Sequence, residues 1–274
     1  MEKVIVITGA GGVLCSGFAE LLAGKGNKVA LLDLNEAAAQ QVADKITAAG
    51  GTAKAYKCNV LDKENIEEVH GRILADLGKC DILINGAGGN NPKCTTKHEE
   101  YEKGDEDASD FLTFFNIDEK GFDFVFDLNI KGVLLPSQVF MADMIGRKGC
   151  SVLNISSMNA YRPLTKIPAY SAAKAAVTNF TEWLAVHFAK ENIRVNAIAP
   201  GFFVTNQNRA LLFNEDRTPT ARTEKILRST PMGRFGEAEE LWGAVEWLLD
   251  ESKAGFVTGV TIPIDGGFSA YSGV

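Results

Sequence analysis

The sequence predicts an α/β fold: a doubly wound parallel sheet of about seven strands with helices on both faces. Three observations predict it. Short apolar runs alternate with helical stretches from one end of the chain to the other. The first apolar run leads through a glycine turn into a helix. No internal repeat, low-complexity tract or shift of composition marks a second domain, so residues 1–274 read as one domain.

Taken in order, strands are expected at Val4–Ile7, Val29–Leu32, Ala53–Tyr56, Ile82–Ile84, Ser151–Ile155, Val195–Ile198 and Val260–Ile264. Helices are expected at Leu14–Lys25, Glu36–Ala49, Lys63–Leu77, Glu119–Ile145, Ala169–Lys190 and Ala238–Leu249. Right-handed crossovers should join them. Two segments break the alternation. Gly88–Asp118 is long, polar and acidic, and reads as an extended loop. Gly201–Arg234 is long and mixed, and reads as a substrate lid.

The chain has 274 residues, 46% hydrophobic and 23% charged, with a net charge of −7. That profile fits a soluble globular protein and argues against nucleic acid or an anionic membrane as partner. Val4–Ile7 is too short and too early for a signal peptide, and no apolar run approaches the roughly 18 residues that span a bilayer. The five cysteines are scattered and form no CxxC pair, so a reduced, cytoplasmic setting is expected. The histidines (His70, His98, His187) are widely separated, and no metal site is expected.

Val4–Thr8 runs into Gly9-Ala10-Gly11-Gly12, after which Val13 and Leu14 open a helix. Unpaired N–H groups and the helix dipole favour a phosphate there. A tight turn without a ligand is the alternative. The second strand ends at Asp33, whose carboxylate can accept bonds from an adenosine ribose and would repel a 2′-phosphate. No Arg or Lys sits in the turn, so NAD is expected over NADP. Asp33 could instead cap the helix that starts at Glu36. The expected fold is thus a Rossmann-type NAD-binding domain.

The strongest chemical signal is Tyr170-Ser171-Ala172-Ala173-Lys174. Residues four apart share a helix face. An ammonium beside a phenol should lower the phenol's pKa toward the working pH, as a general acid/base requires. Ser157 follows the strand Ser151–Ile155 at its carboxyl end, where its hydroxyl can hold a substrate oxygen. Asn129 shares a helix with Gly132 and Pro136, and Pro136 frees the Gly132 carbonyl, so a distorted helix could hold a water there. Each residue alone has an ordinary alternative as a cap or surface group.

With these residues in place, the chain resembles the short-chain dehydrogenase/reductase family along nearly its whole length. Thr8-Gly9, Asn59-Val60, Asn85-Gly86-Ala87-Gly88, Asn196–Gly201 with Phe203 and Thr205, Thr258-Gly259 and Asp265-Gly266-Gly267 fall on its motifs. Asn129, Ser157, Tyr170 and Lys174 fall on its catalytic tetrad at the usual spacing. The resemblance implies that Tyr170 moves the proton, Ser157 positions the carbonyl, Lys174 also binds the nicotinamide ribose, and Asn129 supports a proton relay. It implies cofactor contacts at Gly9, Gly11, Gly12, Val13, Leu14, Asp33, Asn59, Val60, Asn85, Ala87, Gly88, Pro200, Gly201, Phe203 and Thr205. It also implies a homotetramer, with the helix bearing Ala172–Ala176 and Trp183–Phe188 between subunits.

Two departures stand out. Val13 and Cys15 occupy the last two glycine positions of the family's Thr-Gly-x-x-x-Gly-x-Gly turn, and the span from Gly88 to Asn129 is longer than usual. Gly11–Ser16, the acidic loop and the ending Asp265–Val274 resemble the bacterial D-mannonate oxidoreductases (fructuronate reductases). That implies a small sugar-acid substrate, D-fructuronate or D-mannonate. Asn91, Asn159, Arg162 and Arg209 are the candidates to bind it, with Arg162 favoured for the carboxylate. Gluconate 5-dehydrogenase, 3-oxoacyl carrier-protein reductase and a non-catalytic NAD-binding sensor are the alternatives.

Overall fold

β1 (Val4–Thr8) is buried along its whole length and lies near the middle of a seven-stranded, all-parallel sheet. The others are β2 (Lys28–Asp33), β3 (Thr52–Lys57), β4 (Ile82–Asn85), β5 (Ser151–Ile155), β6 (Arg194–Pro200) and β7 (Thr261–Ile264), in the order β3-β2-β1-β4-β5-β6-β7. The computed structural model describes residues 2–204, 212–216 and 218–273. Strand order reverses between β1 and β4, where Thr8 pairs with Asn85 in register. The carboxyl ends at such a reversal are the place where open α/β sheets bind ligands.

Successive strand side chains point to opposite faces, and the two faces bury separate clusters. Ile5 and Ile7 pack with Phe18, Leu22, Val42 and Ile46, from α1 (Val13–Ala23) and α2 (Glu36–Ala48). Val4 and Val6 pack with Ile66, Val69 and Ile73 of α3 (Lys63–Asp76) on the other side. That second face also takes the helical stretch Glu119–Met144: α4 (Glu119–Phe126), a π turn at Asp127–Lys131, α5 (Gly132–Phe140) and a 3₁₀ turn. By length and composition alone this stretch is long and apolar enough to cross a membrane. Half of its most apolar window is buried within the fold, so its apolarity belongs to the core. α6 (Pro168–Phe188) lies beside it.

Gly88–Asp118 holds three short 3₁₀ turns and folds on local bonds. The buried Asp105 accepts from His98 Nδ1 at 2.9 Å and from the Glu102 N–H at 3.1 Å. Asn116 Nδ2 donates to the carbonyls of Ala108 and Phe111. In Gly201–Arg234 the sequence reading anticipated no regular element, yet α7 (Ala221–Ser229) forms there, capped by Thr220. α8 (Trp242–Leu249) completes the first face.

Candidate active site

The glycine turn is shaped by contacts that leave no room for side chains. Gly9 has φ +66°, and a Cβ there would come within 2.9 Å of the Ala87 backbone. The Gly11 N–H donates to Asp33 Oδ2 at 2.9 Å. Gly12 stands at the N-cap of α1 without a side-chain cap, so the first-turn N–H groups at Val13 and Leu14 lack helical acceptors. Asp33 Oδ1 accepts from the Asn35 N–H at 2.8 Å. The cap of α2 is the Asn35 side chain, bonded to the Ala38 N–H, so the cap reading of Asp33 does not hold.

Cys15, one of the two residues that replace the family's glycines, meets Gly86 in space. A Cβ on Gly86 would lie 2.1 Å from Cys15 Sγ. Cys15 therefore fills the volume that a side chain at residue 86 would take. Burial pushes its thiol up to about 12, so it stays protonated. Thr8 Oγ1 accepts from the N–H groups of Gly86 and Ala87 at 3.1 and 3.2 Å, tying this corner to β1.

Asn85 needs correction as a cofactor contact by its side chain. It is buried, donating to Ser137 Oγ at 3.1 Å and to Asn154 Oδ1 at 2.9 Å. Asn154 in turn donates to Thr181 Oγ1 at 2.9 Å, so a polar chain links two strands and two helices. Asn59 Oδ1 accepts from the Leu61 N–H, and Val60 packs against Gly132.

Asn129 lies in the π turn and is fully buried. Its Nδ2 donates to the Gly89 carbonyl at 2.8 Å and the Val125 carbonyl at 2.7 Å, while Oδ1 accepts from the Gly89 N–H at 3.3 Å. A Cβ on Gly88 would sit 2.7 Å from Asn129 Oδ1 and 3.1 Å from Lys174 Nζ. Lys174 Nζ donates to the Ile155 carbonyl at 2.8 Å and lies 5.7 Å from the Tyr170 ring centroid. Burial pushes this ammonium down to about 8. The expected depression of the Tyr170 phenol by Lys174 is absent: burial raises the phenol, and only the hydrogen bond with Ser157 lowers it. The ammonium is directed at a backbone carbonyl instead.

Beside Tyr170 opens a cavity of about 180 Å³. Its polar wall is Ser157, Asn159, Tyr170 and Arg222; Met158, Leu164, Ile167, Phe202 and Leu212 make the rest, more aliphatic than expected. Gly201 reaches it directly after Pro200, at the end of β6. Phe203 instead packs into the core against Gly236, too deep for a cofactor contact by its ring. Arg162 is not among the lining residues: its Nε donates to the Ser269 carbonyl at 3.0 Å. Asn91 is likewise drawn away, its Oδ1 accepting from the Lys93 N–H. Thr205 and Arg209 lie outside the described residues. Arg222 was missed; Thr220, a capping residue just ahead of it, is the signal that could have revealed its helix. Among the described residues no group of three or more His, Cys, Asp or Glu could hold a metal ion.

The short chain dehydrogenase family model matches residues 3–216, and the chain belongs to that family of oxidoreductases. A solved structure from Haemophilus influenzae, provisionally named a D-mannonate oxidoreductase and holding NAD, is 60% identical with a TM-score of 0.95, covering 100% of this chain and 98% of that one. A 2-dehydro-3-deoxy-D-gluconate 5-dehydrogenase from Dickeya dadantii is 34% identical over 269 residues, covering 98% of this chain and 96% of the relative. A structure from Agrobacterium tumefaciens, provisionally named a 2-deoxy-D-gluconate 3-dehydrogenase and holding NADP, is 30% identical with a TM-score of 0.81, covering 99% and 98%.

Proposed function

We propose that the protein interconverts a sugar-acid ketone and its alcohol with NAD(H), D-fructuronate and D-mannonate being the leading pair. The observation that carries this reading is the meeting of Ser157, Tyr170 and an arginine on one small cavity, with Lys174 and Asn129 buried behind it. NAD fits the turn: glycines whose Cβ atoms would collide with Ala87 and Ala38 leave the backbone open to a pyrophosphate. Asp33, anchored by two N–H groups, is set to accept from a ribose and to repel a 2′-phosphate. That favours NAD, as in the Haemophilus structure, over the NADP of the Agrobacterium one. When bound, NADH supplies the hydride.

The chain's own residues do the rest. Ser157 holds the carbonyl oxygen, and Tyr170 delivers the proton to it. Lys174, now bonded to the Ile155 carbonyl, would hold a ribose hydroxyl of the cofactor, and Asn129 fixes the Gly89 backbone. The sugar-acid names of the relatives support the substrate class. We further propose a homotetramer in the cytoplasm. Trp183 (55% exposed) and Val186 (81%) on α6 offer an apolar face for another copy, and all five cysteines are free and buried, as a reducing compartment allows.

The test is a side-by-side assay of D-fructuronate, 5-ketogluconate and an acetoacetyl thioester with NADH and NADPH. Preference for D-fructuronate with NADH is expected. Preference for the thioester, which the aliphatic wall could suit, would overturn the sugar-acid reading.

A further inference from the structure

We infer that Arg222 is the anchor for a carboxylate on the substrate in this cavity. The inference rests on the sugar-acid reading above and deepens it. Arg222 is the one charged side chain among the described residues that line the cavity. A lone cation in such a wall favours an anion there, and its planar fork suits both oxygens of a carboxylate.

The helix that carries Arg222 is also held in place. The start of α7 is tied to Leu212, another wall residue: the N–H of Thr220 donates to the Leu212 carbonyl at 3.0 Å, and the buried Thr223 hydroxyl donates to the same carbonyl. One turn on, Lys225 is ion-paired with Glu99 of the acidic loop. Arg222 and Lys166 both lower the Glu99 carboxyl, but Lys225 takes its hydrogen bond. Among the described residues Arg222 has no ion pair of its own. The acidic loop thus steadies the helix that carries Arg222 without neutralising it. A second observation on the same wall points to a polyhydroxylated ligand. Asn159 is 4% exposed, and its Oδ1 has no hydrogen-bond partner among the described residues. An unpaired buried acceptor is costly, and a substrate hydroxyl meeting a turned amide would relieve it.

The test compares wild type, Arg222→Gln and Arg222→Lys on D-fructuronate, 5-ketogluconate and the neutral ketose D-fructose with NADH. Arg222→Gln should lower kcat/KM on the acids about 10- to 150-fold, chiefly through KM, the range of hydrogen bonds to charged groups. Activity on fructose should fall far less than activity on the acids, so the ratio of acid to ketose is the readout, and Arg222→Lys should fall between. Should fructose turn over too slowly, the thermal shift that D-mannonate gives the enzyme–NADH complex replaces it: Arg222→Gln should lose that shift. If wild type prefers the acids and Arg222→Gln keeps the same preference, the anchor is wrong and the sugar-acid reading survives. If wild type prefers 5-ketogluconate and the variant loses that preference, the anchor stands and D-fructuronate falls. If wild type has no preference for an acid, both are overturned.

Discussion

Adding one methyl group at Gly86 tests whether the altered glycine turn is built as a unit. The new Cβ would sit 2.1 Å from Cys15 Sγ and 2.8 Å from the Thr8 carbonyl oxygen, against the roughly 3.5–4.0 Å of an unstrained contact. Overpacking of this kind costs about 1–3 kcal/mol. Cys15→Ala removes the sulfur and leaves its Cβ 3.7 Å away, an ordinary contact. Alone, it should cost about 1 kcal/mol in lost burial. Gly86→Ala should therefore cost less in the Cys15→Ala background than in wild type, with a coupling of about 1 kcal/mol or more. It should not be fully rescued, since the Thr8 carbonyl stays in the way. Because the Gly86 and Ala87 N–H groups hang on Thr8, and Ala87 backs Gly9, the single variant should also weaken NADH binding. Urea unfolding and NADH fluorescence titration on all four proteins give the cycle. Strict additivity in both readouts would refute the idea that Cys15 and Gly86 share one volume.

Three other outcomes are expected. Tyr170→Phe should bind NADH but lose about 10²–10⁴-fold in turnover, and retention of more than a tenth of the activity would remove Tyr170 from its role. Asp33→Ala should narrow the ratio of kcat/KM for NADH over NADPH; a wild type that prefers NADPH defeats the ribose argument. Lys174 should make stability depend on pH. It titrates near 10.4 when unfolded and at about 8 in the fold, so between these values the unfolded chain holds more protons and stability rises with pH. Lys174→Met should match or exceed the wild-type Tm at pH 7, the gap closing toward pH 10, and a variant melting lower at pH 7 with no change in the gap would count against this.

The sheet was legible because its central strands, β1, β2 and β4 above all, are largely buried and read as apolar runs. The last strand starts at Thr261 rather than Val260, because the Val260 N–H donates to the Asn196 side chain instead of a ladder carbonyl. The pairing of Tyr170 with Lys174 on α6 follows from helical spacing. Where the Lys174 ammonium points does not, since its acceptor is the Ile155 carbonyl, nineteen residues back. Asn85 is a similar case: its partners Ser137 and Asn154 are 52 and 69 residues away, and only the folded sheet shows that its side chain turns inward. Arg222 stayed hidden because its helix is short, polar and fixed by Leu212 across a turn. Arg162 read as a substrate ligand from its nearness to Ser157, but the chain's end lies alongside and takes its Nε hydrogen bond.

The π turn at Asp127–Lys131 gives residue count a meaning of its own. Each residue of an α-helix advances the direction of the side chains by about 100°. The wider turn therefore works as a phase offset between α4 and α5. It lets the Asn129 amide face Gly89 while Val133 and Phe140 still face the core. Removing one residue here would restore a uniform helix and rotate one half against the other. Either the amide or the apolar stripe would then point the wrong way, so at this spot the chain's length counts for more than the identity of most of its side chains.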